Sequence, residues 1–240
     1  KVTVALIGAG LTILLGLVSQ NKMIGDNLNA HYFANFVDFN VIFLLVSMMI
    51  LVLIATKSGV FTWMANELLK LTKGKPIRIL FALGLFTAVV SAFLDNVTTV
   101  ILVMPITFAI AKQLEINPVP ILITEVIASN VGGTSTLIGD PPNIIIGSAA
   151  GFSFMDFIVH LAPVVAIILL VVLAFLAVVF KKDLVATEEN MKKVANIDNS
   201  KTITDKKHMI RSMTVLGLVI LGFMLHDLTH IDTYVIAMIG

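Results

Sequence analysis

Asn130-Val131-Gly132-Gly133-Thr134-Ser135-Thr136-Leu137-Ile138-Gly139-Asp140-Pro141-Pro142-Asn143 lies between two apolar stretches, Ile121 to Ala128 and Ile144 to Ala150. It holds three glycines, two prolines, three hydroxyl side chains, two asparagines and an aspartate. Gly frees the backbone and Pro withholds an N–H, so an apolar helix is expected to unwind here and leave carbonyls and amides without intrahelical partners. Inside hydrocarbon such groups persist only where protein or a water-lined cavity satisfies them. A helix broken at membrane depth is the pattern of a solute-binding position, with half-helix ends and free carbonyls turned toward an ion or a substrate.

Composition supplies the membrane. The chain is 58% hydrophobic and 13% charged, with a mean hydropathy of +1.02, whereas about 25% of the residues of a soluble domain are charged. It has no cysteine, which excludes disulfides and thiolate metal sites. The net charge of +1 gives no reason to expect nucleic acid as a partner; the placement of Lys and Arg among the loops carries the information instead. The chain opens on Lys1 and closes with Gly240 inside an apolar run, so a segment of a longer protein is expected.

Read outward from the break, the apolar runs fall into spans. Val2 to Val18, Val41 to Ala55, 119 to 150, Phe157 to Phe180 and Met213 to Leu225 are expected to cross the bilayer. Ser19 to Asn40 reads as an interfacial loop poor in Lys and Arg. Lys57 to Arg78 carries Lys57, Lys70, Lys73, Lys75 and Arg78 against Glu67, which places it on the cytoplasmic side. Within it Val60, Phe61, Met64, Leu68 and Leu71 are expected on one helical face along the membrane surface, with Trp63 at the headgroups and Gly74-Lys75-Pro76 as a stop. Two apolar arms, over about 77–111, meet at the polar tip Asp95-Asn96-Val97-Thr98-Thr99 and suggest a re-entrant hairpin; as a hairpin or as two full spans, they return the chain to the side it left. Lys181 to Arg211, with eight basic and five acidic residues, reads as a cytoplasmic linker without a packed core of its own.

Val4-Ala5-Leu6-Ile7-Gly8 echoes Ile236-Ala237-Met238-Ile239-Gly240. Five crossings, with none contributed by the hairpin, would bring a second copy starting near Asp232 into the bilayer from the opposite side. That is the parity of inverted-topology repeats. Residues 1–231 are therefore expected to form a first repeat and 232–240 to open its partner.

The run Ala128-Ser129-Asn130-Val131-Gly132-Gly133-Thr134 with Leu137-Ile138-Gly139-Asp140-Pro141-Pro142-Asn143, preceded by Leu94-Asp95-Asn96-Val97-Thr98-Thr99 and Met104-Pro105-Ile106, resembles the ion transporter superfamily. The nearest branch in this resemblance is that of the ArsB/NhaD permeases and the P protein, with a citrate transporter-like domain. In the sodium-coupled dicarboxylate relatives a Ser-Asn-Thr tip meets an unwound Gly-Gly-Thr loop to bind sodium and a substrate carboxylate. The resemblance implies an all-α polytopic fold and a site of Asp95, Asn96, Thr98 and Thr99 facing Asn130, Gly132, Gly133, Thr134, Thr136, Asp140 and Asn143, with Na+ at Asp95, Asn96 and Gly133. It also implies a secondary transporter rather than an enzyme, with no cofactor beyond a coupling Na+ or H+. The expected partners are the lipid bilayer and a small inorganic ion or small anion, the setting a multi-pass protein of the plasma membrane, and a homodimer a candidate assembly.

Asp95 stands where the dicarboxylate relatives have Ser. A carboxylate beside the pocket favours a cation or proton and repels an anion by several kcal/mol at an effective dielectric of about 20. Asp95 and Asp140 are acids at expected membrane depth, where such groups are expensive and mark ion or proton pathways. Glu125, one turn before the break, is a candidate coupling acid or a partner for Lys112. Thr134, Ser135 and Thr136 are suited to satisfying freed backbone as well as to binding an ion, Asp140 to capping the second half-helix, and His160 to being a packed, hydrogen-bonded residue. Two other readings compete with a carrier. An ion channel would share the polar tips, and two intramembrane aspartates are the requirement of an intramembrane aspartyl protease, although the first glycine of its Gly-x-Gly-Asp signature is missing at Leu137. His226-Asp227-Leu228-Thr229-His230 has the spacing of a metal-binding helix but no evident third ligand.

Overall fold

The computed structural model describes residues 3–4, 7–8, 11, 38–195, 203, 205–229 and 231–240. Residues 1–39 and 40–240 form two separate units. In the first, Thr3, Val4, Ile7, Gly8 and Leu11 are helical; the expected span at 2–18 and the loop at 19–40 fall almost wholly outside the described residues. The second is built from α1 (Phe39–Lys57), α2 (Val60–Leu71), α3 (Pro76–Ser91), α4 (Asn96–Leu114), α5 (Val119–Gly133), α6 (Pro141–Ala150), α7 (Phe154–Val179), α8 (Glu188–Ala195), α9 (Lys206–Met224), α10 (His226–Thr229) and α11 (Thr233–Ile239). There is no strand among the described residues. Helices α1, α4, α7 and α9 are each long and apolar enough to cross a membrane. Their outward faces are apolar: Met49, Ile101, Ile167 and Phe175 are each 60% exposed or more. So much uncovered apolar surface suits lipid, not water. The protein is an all-α polytopic membrane protein.

Helix α3 is the centre of this unit. Ten of its 16 residues are buried, on every side, and it packs on α2, α4, α5 and α7. Lipid gives apolar side chains no reason to leave it, so close packing must hold such helices together, and small residues permit it. Gly84 and Ala88 on α3 meet Thr124, Ala128 and Gly132 on α5. Because Gly84 lies by Thr124 and Ala88 by Gly132, the two helices run parallel and end at the same level. Leu173 of α7 lies against Gly84, and Leu169 joins Ala88 and Ala128, so α7 runs the other way. Phe223 near the end of α9 packs against Phe154 at the start of α7, with ring centroids 5.7 Å apart and the rings tilted by 44°. These directions gather Lys57, Lys75, Arg78, Lys112, Lys181, Lys182, Lys206 and Lys207 at one end of the unit, the sorting that the positive-inside rule describes.

Local chemistry sets the boundaries. Gly59 at φ 79° and Gly74 at φ 70° turn the chain on either side of α2, and Pro76 opens α3. Ser153 and Asp156 form a reciprocal capping box at the start of α7. A π-helical turn over Phe157–Leu161 precedes Pro163, which has no N–H to give the preceding turn.

Several expectations are corrected. Helix α2 buries Val60, Phe61, Ala65 and Leu69 against the rest of the unit, while Met64 and Leu71 of the expected apolar face are exposed. Residues 181–211, expected to have no packed core of their own, lean in part on the main one. Leu184 and Val194 are buried in the main core, and the backbone of Met191 in α8 rests on Gly74. His160 is exposed, its Nδ1 2.9 Å from the carbonyl of Asp156.

Candidate functional site

The break in the chain lies between α5 and α6, over Thr134 to Asp140. Helix α5 continues through Gly132 and Gly133. Neither these glycines nor Gly139 adopts a positive φ, so their role is room and not unwinding. A side chain on Gly132 would run into the backbone of Ala88, one on Gly133 into Asn96 Oδ1, and one on Gly139 into Gly133 and the carbonyl of Ser91. Three missing side chains press the break onto the end of α3. The hydroxyls within it are spent on the backbone: Thr134 donates to Asn130 O at 2.9 Å, Ser135 to Gly132 O at 2.6 Å, and Thr136 to the carbonyl of Ala92. Thr136 Oγ1 also accepts from Gly139 N at 3.1 Å. Asn143 donates to both Gly133 O (3.1 Å) and Thr136 O (2.8 Å), which ties the start of α6 back to the end of α5.

On the other side, α3 ends at Ser91 and the chain turns through Ala92, Phe93 and Leu94. Asp95 is the N-cap of α4, its Oδ1 accepting from Thr98 N at 3.0 Å, and Thr99 N donates to Asp95 O. Asn96, Thr98 and Thr99 are therefore the first turn of a helix and not an unwound tip; the cap satisfies their amides locally, and α4 runs on through Pro105 to Leu114. This helix of 19 residues is itself long enough to cross, which agrees, for this arm, with two full spans instead of a hairpin.

Asn96 joins the two sides. Its Oδ1 accepts from Ser91 Oγ at 2.8 Å, and its Nδ2 lies 3.1 Å from Asp140 Oδ2 and 3.3 Å from Asn130 Oδ1. Asp140 is not a side-chain cap of α6: its carboxylate reaches across to the hairpin turn. The ends of α3 and α5 and the beginnings of α4 and α6 thus meet at one place, with partial negative charge from two C-termini and partial positive charge from two N-termini. Asn130 and Thr134 are exposed, and Asp140 and Asn143 half-buried, so the meeting point has an open side.

A family model described as citrate transporter matches residues 1–240. The chain belongs to the citrate transporter family. It is 40% identical to the "46 kDa membrane protein" of Mycobacterium leprae over 240 residues, all of this chain and 54% of that protein. An "uncharacterized transporter" of Mycobacterium tuberculosis is 39% identical over the same 240 residues, 54% of its length. The human "P protein" is 37% identical over 171 residues, 69% of this chain and 20% of that protein. The chain spans about half the length of the mycobacterial relatives.

In this member of the citrate transporter family the expected site residues divide. Asn96, Asn130, Gly133, Asp140 and Asn143 come together, with Gly132 and Thr136 holding the two sides in contact. Asp95 and Thr98 line a largely apolar cavity of about 450 Å³ on the α1 side, with Met48, Met49, Ile138 and Ile144. Thr99 is buried, its hydroxyl without a partner. Of the oxygens expected around Na+, Asn96 Oδ1 lies close to Gly133 but already accepts from Ser91, and Asp95 is engaged with Thr98 N. The two acids of the protease reading have different partners, Thr98 N for Asp95 and Asn96 for Asp140, and are not a proton-sharing dyad. Sequence reading passes over Ser91 and takes Gly139 only as a residue of the break; the signal for Ser91 is a hydroxyl one turn before Asp95 at the end of an apolar run. No group of three or more metal-ligating side chains occurs among the described residues.

Proposed function

We propose that this chain is the first repeat of a secondary active transporter of the plasma membrane, and that the repeat beginning near Asp232 enters with inverted topology. The transported solute is an inorganic ion or a small anion, moved by alternating access and coupled to Na+ or H+. The basic end of the unit faces the cytoplasm. The observation that carries this reading is Asn96 bonded to both Asp140 and Asn130, because it joins two half-helix junctions, far apart in sequence, into one polar surface open on one side. Asn96, Asn130, Asp140 and Asn143 contact the solute or its coupling ion, Thr134 borders the open side, and Gly132, Gly133 and Thr136 hold the junction. Asp95, with Thr98 and Thr99 behind it, supplies negative charge from the α1 side.

The substrate is sought among citrate, which the family description names, and Na+, protons, arsenite and chloride. The test is flux through proteoliposomes of the complete polypeptide, each solute in turn. Saturable uptake driven uphill by an imposed Na+ or proton gradient is the expected result. Flux that never saturates and only follows its own gradient would establish a pore instead.

A further inference from the structure

Glu125 is fully buried, on the inner side of α5, two turns before the break. Thr107 of α4, also fully buried, donates its hydroxyl to Oε1, while Oε2 has no hydrogen-bond partner. The neighbouring hydroxyl of Thr124 is spent on Pro120 O at 2.8 Å. A carboxylate removed from water with a single donor and no cation beside it is costly by several kcal/mol. Something must neutralise it. A metal cation would need several oxygens around it, and Glu125 belongs to no group of three or more metal-ligating side chains among the described residues. A proton needs neither a cavity nor further ligands.

The charged and titratable groups on the elements packed against α5 are few, and all stand at the ends of the bundle. They are Arg78 in the first turn of α3, Lys112 in the last turn of α4, and Asp156 and His160 in the first turns of α7. Lys112 is five residues beyond Thr107, about 7.5 Å along the axis. Buried hydroxyls without partners, Thr87 on α3 and Thr99 on α4, lie between the level of Glu125 and the Asn96 junction. A glutamine would fill the same space and accept the same bond from Thr107, so packing alone does not call for an acid here.

We propose that Glu125 is a proton-binding site of this protein, separate from the polar junction, with Thr107 as its fixed hydrogen-bond partner. The proton is taken up from water and returned to it; no other bond forms or breaks. The inference stands apart from the transport reading, because its readout is the carboxyl group itself. The experiment is infrared difference spectroscopy on the full-length protein in lipid bilayers, scanned from about pH 5 to about pH 9, an interval wide enough for buried carboxyls. A protonated-carboxyl band is expected to fall as pH rises, to be lost in Glu125→Gln, and to persist at a shifted frequency in Glu125→Asp. Thr107→Val, which removes the donor and leaves the carboxyl, is expected to raise the band's frequency. Glutamate labelled with carbon-13 at the side-chain carboxyl must shift the wild-type band, which assigns it to Glu even if the glutamine variant does not fold. A band unchanged in Glu125→Gln, absent from the wild type, or constant across the whole pH range would overturn the proposal.

Discussion

Replacing Gly132 by alanine tests the central contact of the fold and of the site at once. The added Cβ would lie 2.5 Å from Ala88 Cα, where ordinary carbon contacts are about 3.5–4.0 Å, so α3 and α5 must part by about 1 Å. Ala88 is in the body of α3, and the obstacle is its backbone, which cannot swing aside as a flexible side chain would. Overpacking of this kind costs about 1–3 kcal/mol, or roughly a 5- to 140-fold loss in the population of the closed junction at 1.4 kcal/mol per tenfold. The assay is thermal unfolding of the full-length protein in detergent, paired with flux in proteoliposomes. Gly217, within α9, is the control: its Cβ would meet nothing within 4 Å, and alanine in a helix interior should stabilise by about 0.5–1 kcal/mol. Wild-type stability and flux in Gly132→Ala would refute the reading of this glycine as the contact that seats the break on α3.

Four further outcomes follow from the same geometry. Asn96→Ala removes the bridge to Asp140 and Asn130 and strips Ser91 Oγ of its acceptor; a loss of about 1–3 kcal/mol from the junction is expected, seen as reduced flux at unchanged expression. Asp95→Asn keeps an effective N-cap for α4 while removing the charge, so folding should survive and ion-driven transport and its pH profile should change; an intact profile would remove Asp95 from coupling. Gly74→Ala places a side chain at φ +70° against the backbone of Met191, at about 1–2 kcal/mol of strain, and faster proteolysis within 181–205 should report the release of α8. Backbone N–H bonds from His208 and Lys207 hold the Asp205 carboxyl below the ordinary aspartate range. A lowered value stabilises above the ordinary range and is lost as pH falls through it. The protection of the Lys207 and His208 amides, measured by hydrogen exchange relative to their intrinsic rates at each pH, should therefore fall on acidification and lose this dependence in Asp205→Asn.

How far the sequence could be read depended on how local the deciding interaction was. The position of the break was legible because Pro141 and Pro142 cannot donate, and three of the four long apolar helices, α1, α7 and α9, because hydrocarbon imposes a length. Partners across the fold were not. Gly132, Gly133 and Gly139 looked like unwinding residues, yet their contacts are Ala88, Asn96 and Ser91, more than 30 residues away in the chain. Asp140 had the form of a cap and turned instead to Asn96, 44 residues distant. The polar tip was drawn too long because the strength of the Asp95 cap depends on α4 continuing through Pro105. Residues 181–211 read as a linker without a core of its own, and the charge around Leu184 and Val194 conceals that both are buried in the main core.

In the proposed reading, the chemistry of the junction constrains the solute more than its shape does. Pro141 and Pro142 take away two amide donors from the first turn of α6, and Asp95 occupies the Thr98 and Thr99 amides of α4. The groups that face one another here are rich in oxygen: the carboxylate of Asp140 and the amide oxygen of Asn130, both bonded to Asn96, with no Lys or Arg among the site residues. Two helix N-termini offset part of this, each worth about 0.3–1 kcal/mol to a charge at an exposed site. A carboxylate at contact distance opposes an anion by about 4 kcal/mol at an effective dielectric of about 20. The balance favours a cation. An anion such as citrate would bind beside these residues only with positive charge brought to it, by the coupling ion or by the rest of the polypeptide, so its affinity should rise with the concentration of that ion.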